Sequence, residues 1–229
     1  MAQSTNTDWT LTFSELATSA ATELGAIGMG DSLEASEEEE MRLRMNAMLA
    51  KWSTDANLWR DETATITISG GAGAATLPSE IRDIRSMRHV QSATYKRPLL
   101  EWARDDYLSL PNRAQAGTPT IYYFQPSIGG AVLRVWPVPA TDQDFELDIS
   151  RRFHQIEDPA QEVDIMPEWY EAALYGLAAR CANIFGTTRV DPNTVQRVDA
   201  QAKAEYDRLL DSDRPNYYAF GYDSPVETY

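Results

Sequence analysis

The spacing of hydrophobic positions predicts helices at the N-terminal end of the chain. Apolar residues recur every three or four positions over residues 13–27, after a T-x-x-E capping box at Thr12 and Glu15, and glycines follow this run. A second helix is predicted from Ser32 or Ser36 onward, and it ends by residues 55–57. Its predicted buried stripe consists of Met41, Met45, Met48, Leu49 and Trp52.

The middle of the chain has the two-residue period of β-strands. Residues 63–69 (TATITIS) are β-branched and alternating, and residues 121–125 and 131–137 predict a hairpin around a Ser-Ile-Gly-Gly turn. Residues 145–153 (FELDISRRF) alternate between apolar and polar, which places one face of that strand on a core. We expect five to seven strands in a small sheet or sandwich.

Helical spacing returns near the C-terminal end. Pro167 suits a first helical turn, and the apolar face that follows it ends at Gly186. Asp191 as a cap and Pro192 at the first position predict a last helix.

The predicted fold class is therefore α+β, with a helical bundle formed by the N- and C-terminal helices and an inserted antiparallel β-domain. The predicted domain boundaries place residues 1–60 and 160–212 in a helical domain. Residues 61–159 form the β-rich domain, and residues 213–229 form an extended C-terminal arm.

The charge of the chain is strongly negative. Its 35 acidic and 20 basic residues give a net charge of −15, which opposes general attraction to nucleic acid. Residues 31–40 hold six acids and no base. The run from Glu37 to Glu40 (Glu37, Glu38, Glu39, Glu40) is either a solvated helix start or part of an acidic surface. Asp142 and Asp144 form a second acidic stretch.

Basic residues concentrate in residues 82–104, where the side chains could bind DNA or pair with acids of another subunit. Because the net charge opposes DNA binding, we favour a subunit interface. The candidate interface residues are Arg82, Arg85, Arg88, Arg97 and Arg104.

No residue pattern indicates an active site, so we expect no enzyme, no cofactor and no metal. His89 and His154 lack partners at metal-ligand spacing, and Cys181 is the only cysteine. The glycines of residues 70–73 lack the remainder of a phosphate-binding fingerprint and suit a turn. No apolar run is long enough for a transmembrane helix, and no secretory signal is present, so no membrane partner is expected.

Five aromatic residues follow the last predicted helix: Tyr217, Tyr218, Phe220, Tyr222 and Tyr229. Aromatic side chains are common anchors of protein interfaces, and an extended segment can cover a large partner surface. We favour a partner-binding arm. The alternative is that the segment folds back onto its own subunit.

In order and spacing, several segments resemble the head-to-tail adaptor family of tailed phages, which includes the tail tubular A-like and head-completion proteins of short-tailed phages. The resemblance covers residues 11–212. It is carried by LGAIGMGDSLEASE, RLRMNAMLAKW, Trp59 with TITISGG, TLPSEIRDIRSM, RPLLEWARDDYLSLP, GTPTIYYFQP, LRVWPVP and DIMPEWYEAALYGLAARCANIFG.

The resemblance implies a structural virion protein of the neck, made in the host cytoplasm. It implies a homo-oligomeric ring, commonly of twelve copies, between the portal protein above and a tail nozzle or tail tube protein below. DNA would pass through the ring without specific binding. From the charge of the chain we expect some of Glu37, Glu38, Glu39 and Glu40, or Asp142 and Asp144, to line the channel and repel DNA phosphates. In this family a C-terminal extension reaches the portal, which assigns portal binding to the aromatic segment.

Two other functions remain open at this point. A virion-associated cell-wall hydrolase would need a concave pocket with close carboxylates, one of them with a raised pKa. Another tail component, such as a nozzle or stopper protein, would share the β-domain but lack the paired helical ends.

Overall fold

A computed structural model describes residues 10–55 and 60–212 of the chain. Its helices are α1 (Phe13–Glu23), α2 (Ala35–Trp52), α3 (Arg104–Leu108), α4 (Tyr170–Arg189) and α5 (Pro192–Ser212). Its strands are β1 (Asp61–Ile68), β2 (Ala74–Leu77), β3 (Ile81–Val90), β4 (Lys96–Pro98), β5 (Leu100–Glu101), β6 (Ile121–Ser127), β7 (Gly130–Trp136) and β8 (Gln143–Arg151). The predicted α+β class, with helices at both ends of a strand-rich middle, is confirmed.

The predicted capping box opens α1. The Glu15 backbone N–H donates to Thr12 Oγ1 at 3.3 Å, and the Thr12 backbone N–H donates to Glu15 Oε2 at 3.0 Å. These bonds satisfy two amide groups that have no partner within the helix. Shortly after the helix, Gly25 has a positive φ of 70°, a conformation that glycine adopts without steric cost.

Four helices enclose the first of two hydrophobic cores. The predicted stripe of α2 is buried in it, and so are Phe13 and Leu16 of α1 and Leu177 of α4. Trp52 of α2 contacts Trp169, which precedes α4, edge-on at 5.5 Å between ring centroids. Tyr206 of α5 stacks on Trp52 at 5.2 Å. This cluster joins α2, α4 and α5 through rings that contribute both buried area and aromatic contacts.

Two four-stranded sheets enclose the second core. Their strand orders are β1-β8-β3-β4 and β2-β7-β6-β5, and every pair is antiparallel except β5 with β6. Phe145, Leu147 and Ile149 of β8 point inward, toward residues such as Leu133 and Val135 of β7. Both sheets thus pack their apolar faces together, as alternation along β8 predicts.

Two expectations from the sequence differ from the structure. Residues 10–55 and 60–212 contain eight strands, rather than five to seven. The strand expected over residues 145–153 ends at Arg151, because Phe153 and Ile156 leave the sheet and pack in the helical core. The predicted hairpin is present as β6 and β7.

The two hydrophobic cores are separate clusters, one helical and one between the sheets. Phe153 and Ile156 belong to the helical cluster although they fall within the expected β-rich range. The division of the chain into domains at residues 60 and 160 stays a prediction.

Candidate functional site

A buried arginine occupies the junction between the helical core and the sheets. Arg60 has no exposed surface, and its guanidinium donates to three backbone oxygens rather than to a carboxylate. The acceptors are Arg151 O at 2.5 Å, Asp55 O at 3.0 Å and Ser53 O at 3.4 Å. The guanidinium also lies 4.8 Å from the ring centroid of Phe153. Arg60 therefore ties the end of α2 to the end of β8.

The electrostatic environment of Arg60 is unusual for a buried cation. Burial lowers its pKa, and the positive charges of Arg82 and Arg151 lower it further. Carbonyl dipoles and the face of the Phe153 ring compensate part of the lost hydration. We infer that Arg60 positions the two halves of the molecule.

A bidentate ion pair stands beside Arg60. Arg151 Nη1 and Nη2 donate to the two carboxylate oxygens of Asp164 at 2.5 and 2.9 Å, and Arg151 Nε donates to Glu62 at 2.6 Å. The His154 backbone N–H donates to Asp164 Oδ2 at 2.9 Å. Burial alone would raise the pKa of Asp164, but the bonds from Arg151 and His154 outweigh it and hold the pKa below its usual range.

Replacing Asp164 with asparagine should therefore have a pH-dependent cost. We expect the Asp164→Asn variant to lose about 2–3 kcal/mol of unfolding free energy at pH 7, because the partly buried Arg151 loses its counter-charge. The folded pKa lies below the unfolded value of about 3.9, so the carboxylate stabilises the fold above that value. As the pH falls through the folded pKa, the difference between the two proteins should shrink.

Urea unfolding from pH 7 down to pH 3 measures this difference. Asp105→Asn removes an exposed acid with the same change of charge, and it should leave the unfolding free energy within about 0.5 kcal/mol of the original. A difference for Asp164→Asn that stays constant over the whole pH range would contradict the prediction.

Ion pairs within the chain occupy most of the acidic run at the start of α2. Glu37 contacts Arg189, Glu39 pairs with Arg42 at 2.7 Å and Glu40 pairs with Arg44 at 3.0 Å. Among the described residues, Glu38 alone of the four has no ion pair. The run is thus mostly neutralised by the chain's own arginines.

The second predicted acidic stretch is exposed. Asp142 Oδ1 accepts from the Gly70 backbone N–H at 2.8 Å, and Asp144 Oδ1 accepts from the Thr67 hydroxyl at 2.6 Å. Neither bond brings a positive charge. Asp144, Glu146 and Asp148 alternate along β8 with the inward apolar residues, so they share the outer face of the first sheet.

The five arginines of the predicted interface divide into two groups. Arg82 donates to Thr54 O at 3.3 Å, Arg85 pairs with Asp61 at 3.1 Å and Arg88 pairs with Glu146 at 3.3 Å. Arg97 and Arg104 are exposed and have no ion pair within the described part of the chain. These two are free to contact another molecule.

A groove of about 330 Å³ runs between α2, α4 and α5. Ala172, Gly176, Ala179 and Ala202 are among the small residues that line it, and the buried side chains of Met48 and Trp52 form a wall with Tyr206. The charged residues that line it are Lys51, Arg180, Lys203 and Asp199. In a strongly acidic chain this groove has an excess of positive charge.

The structure shows little that suggests catalysis or metal binding. No group of three metal-ligating side chains is found in residues 10–55 and 60–212. Burial raises the pKa of the Cys181 thiol to about 12, so the thiol is not activated. His89 is buried against Phe145, and burial lowers its pKa. No helix in the described ranges is long and apolar enough to cross a membrane.

Two predicted features fall outside the described residues. They are the aromatic segment (Tyr217, Tyr218, Phe220, Tyr222 and Tyr229) and Trp59, which is part of the adaptor resemblance.

Comparison with known proteins decides the family. The family model described as "SU10 adaptor protein" matches residues 11–227, which is nearly the whole chain. The chain belongs to the SU10 adaptor protein family. Membership in the SU10 adaptor family confirms the resemblance to head-to-tail adaptors, and the role of the chain is that of a structural adaptor.

One chain of a solved structure described as "Neck of empty GTA particle computed with C6 symmetry" is 12% identical to this SU10 adaptor. The match covers 71% of this chain and 74% of that chain, with a TM-score of 0.27. Nothing said of this adaptor rests on that match. None of the curated proteins compared matches the chain.

Sequence reasoning about this SU10 adaptor missed the junction residues Arg60, Arg151 and Asp164. A single arginine beside a strand has no local signature of burial, since exposed arginines are far more common. The one available signal was Asp164, an acid that stands between the apolar residues Val163 and Ile165.

Proposed function

We propose that copies of this adaptor form a ring, commonly of twelve, between the portal of a phage head and the tail nozzle or tail tube. The proposal is carried by the adaptor family match through residues 11–227. The ring would seal the filled head, offer a docking surface to the tail and let DNA pass on ejection. The protein would be made in the host cytoplasm and reside in the virion neck.

The two hydrophobic cores support a division of labour within each subunit. In this proposal the bundle of α1, α2, α4 and α5 forms the ring wall, and the two sheets face the tail. Arg60 and the Arg151–Asp164 pair would fix the angle between them, so that every subunit presents the same geometry around the ring.

The exposed acids on the sheets are the better candidates for a channel surface. Asp142 and Asp144 have no positive partner among the described residues, whereas Glu37, Glu39 and Glu40 are paired with arginines. Carboxylates that face the lumen would repel DNA phosphates and prevent the channel from holding its cargo. Glu38 is the one member of the α2 run that has no ion pair within the part of the chain that the structure describes.

Arg97 and Arg104 are the better candidates for the subunit interface, because the other three arginines already have partners within the chain. A guanidinium can form two parallel hydrogen bonds to a carboxylate, which fixes the register of neighbouring subunits. Arg82, Arg85 and Arg88 keep a proposed interface role only if assembly exchanges their present partners.

The aromatic segment remains the proposed portal-binding arm. Its residues Tyr217, Tyr218, Phe220, Tyr222 and Tyr229 suit anchoring in pockets of a protein partner. The assignment rests on the composition of the segment and on the family.

Mass measurement of the purified protein, alone and with the portal, tests the ring. We expect a closed ring with portal, or a subunit that assembles only when the portal is present. A monomer that ignores the portal at micromolar concentration would overturn the proposal.

Neutralising the exposed acids tests the channel surface. A variant with Asp142→Asn and Asp144→Asn should slow or retain DNA during ejection, because the lumen loses two repelling charges per subunit. The matched control is Asp105→Asn with Asp106→Asn, which removes the same charge from an exposed pair on α3. Equal ejection from the two variants would exclude Asp142 and Asp144 as channel residues.

One observation would fit the hydrolase alternative, a carboxyl group with a raised pKa. Burial, and the nearby charge of Asp148, raise the pKa of Asp61, although Arg85 opposes the shift. Glu146 on the same sheet contacts Lys96 and pairs with Arg88 at 3.3 Å, and the Lys96 contact lowers its pKa. These groups make an ion-pair network across a sheet face. Assays on purified peptidoglycan should show no hydrolysis above that of a denatured sample.

A further inference from the structure

We propose that the groove between α2, α4 and α5 holds the C-terminal segment of the same chain, residues 213–229, while the subunit is free. This docking would keep the aromatic side chains out of water until the portal is met. The contact belongs to the isolated subunit, so it can be tested without assuming that the ring or the portal contact exists.

The lining of the groove suits an apolar ligand with negative charge. Its floor consists of small residues, and an added Cβ at Gly176 would meet Met48 Sδ at 2.9 Å, so the chain keeps α2 and α4 close here. Above the floor, the half-buried Tyr206 ring forms the accessible apolar wall, and Met48 and Trp52 lie almost fully covered behind it. Aromatic side chains of a ligand could stack on such a wall.

The charges at the rim favour an acidic ligand. Lys51 and Lys203 are exposed residues on opposite walls, α2 and α5, and Arg180 lies on α4. Within the described residues none of the three has an ion pair, and Asp199 is the one acid that lines the groove. The chain has three lysines, and two of them stand here.

The sequence of residues 215–229 has the complementary chemistry. This stretch contains five aromatic residues, two acids (Asp223 and Glu227) and no base. The acids of the segment therefore complement the basic residues of the groove, and its aromatic side chains complement the apolar wall.

The length of the segment permits the contact. α5 ends at Ser212, and Tyr206 lies six positions earlier, about 9 Å along the helix axis at about 1.5 Å per residue. An extended chain covers about 3.3 Å per residue, so a few residues past Ser212 can turn back to the groove. Asp223 and Glu227 stand 11 and 15 positions past Ser212, so the chain is long enough for them to contact Lys203 and Lys51.

A second copy and an unrelated partner could also fill such a groove. We favour the chain's own segment because it is tethered beside the groove, and tethering raises its effective concentration to about the millimolar range. A weak contact would then be mostly formed within one chain.

Zero-length carbodiimide coupling tests the contact in the full-length protein. The reagent joins a lysine to a carboxylate that touches it, and peptide mass spectrometry locates the bond. We expect Asp223 or Glu227 to be joined to Lys51 or Lys203. Lys96, which contacts Glu146 on the sheets, is the internal control and should not be joined to residues 213–229. In a mixture of nitrogen-14 and nitrogen-15 protein, the products should carry one isotope only.

A substitution that fills the groove provides a second, independent readout. Ala202 lines the groove, whereas Ala200 is exposed on the same helix. In Ala202→Trp, we expect chymotrypsin to cleave at residues 217–222 about tenfold faster, because cleavage follows the population of undocked segment. Ala200→Trp should cleave at the original rate. Circular dichroism establishes that both variants are folded.

Three outcomes would overturn the proposal. They are coupling of the segment to Lys96 as often as to the groove lysines, products that carry both isotopes, and equal cleavage of the two tryptophan variants. Success in these assays together with a portal-independent monomer would retain the docked segment and reject the ring. Failure of these assays together with portal-dependent assembly would reject the docked segment and retain the ring.

Discussion

Arg60→Ala should lower the free energy of unfolding by about 3–5 kcal/mol, through unsatisfied carbonyls and lost packing. The substitution leaves the backbone oxygens of Ser53, Asp55 and Arg151 without the donors that they now have, around a side chain that has no exposed surface. It also removes the contact with the Phe153 ring. Urea unfolding followed by circular dichroism and by tryptophan fluorescence measures the loss.

The same experiment reports whether the two cores remain coupled. Because Arg60 bridges the end of α2 and the end of β8, its removal should separate the transition into two steps. Arg97→Ala, at an exposed arginine, is the control and should change the unfolding free energy by less than about 0.5 kcal/mol. A loss below about 1 kcal/mol for Arg60→Ala would show that water or a neighbouring side chain replaces the guanidinium.

Trp169→Ala should produce a loss of similar size, about 3–5 kcal/mol, through a cavity in the helical core. Trp169 is 4% exposed and meets both Trp52 and Tyr206, with ring centroids 5.5 and 6.1 Å away. Its removal should loosen α5 in particular, since few residues of that helix are buried. Hydrogen exchange of the α5 amides then rises more than that of the β8 amides.

Tyr95→Ala provides the comparison for Trp169→Ala. Tyr95 is 59% exposed in the turn before β4, so its truncation should cost less than about 1 kcal/mol. If α5 and β8 lost protection equally in Trp169→Ala, the helical core and the sheets would unfold as a single unit.

Local pattern predicted the elements of this adaptor because each one carries its own periodicity. The stripe from Met41 to Trp52 has helical spacing, and Phe145, Leu147 and Ile149 have strand spacing, so burial of one face follows directly. The capping box at Thr12 needs four consecutive residues only. These features depend on near neighbours in sequence, which is why they can be read from it.

Long-range pairing could not be predicted in this way. β8 lies between β1 and β3, which stand some 60 to 80 positions earlier, and no local feature of Phe145 or Leu147 names those partners. For the same reason the junction could not be predicted, since Arg60 donates to the backbone oxygen of Arg151, which is 91 positions later in the sequence. The ion pair of Glu37 with Arg189 could not be predicted either, so the sequence suggested a more negative surface at the start of α2 than the folded protein has.

The junction has a consequence for the entropy of folding. Residue pairs at the start of β1 and the end of β8 are direct neighbours, Asp61 opposite Ser150, so the sheets leave and rejoin the helical bundle at one point. With respect to the helical bundle, the segment from β1 to β8 is an inserted loop whose two ends lie side by side. The closure cost of such a loop grows by only about 0.6 kcal/mol for each doubling of its length. Insertions into the sheets or deletions from them should therefore cost the helices little stability, provided that the residues around Arg60 keep the two ends together.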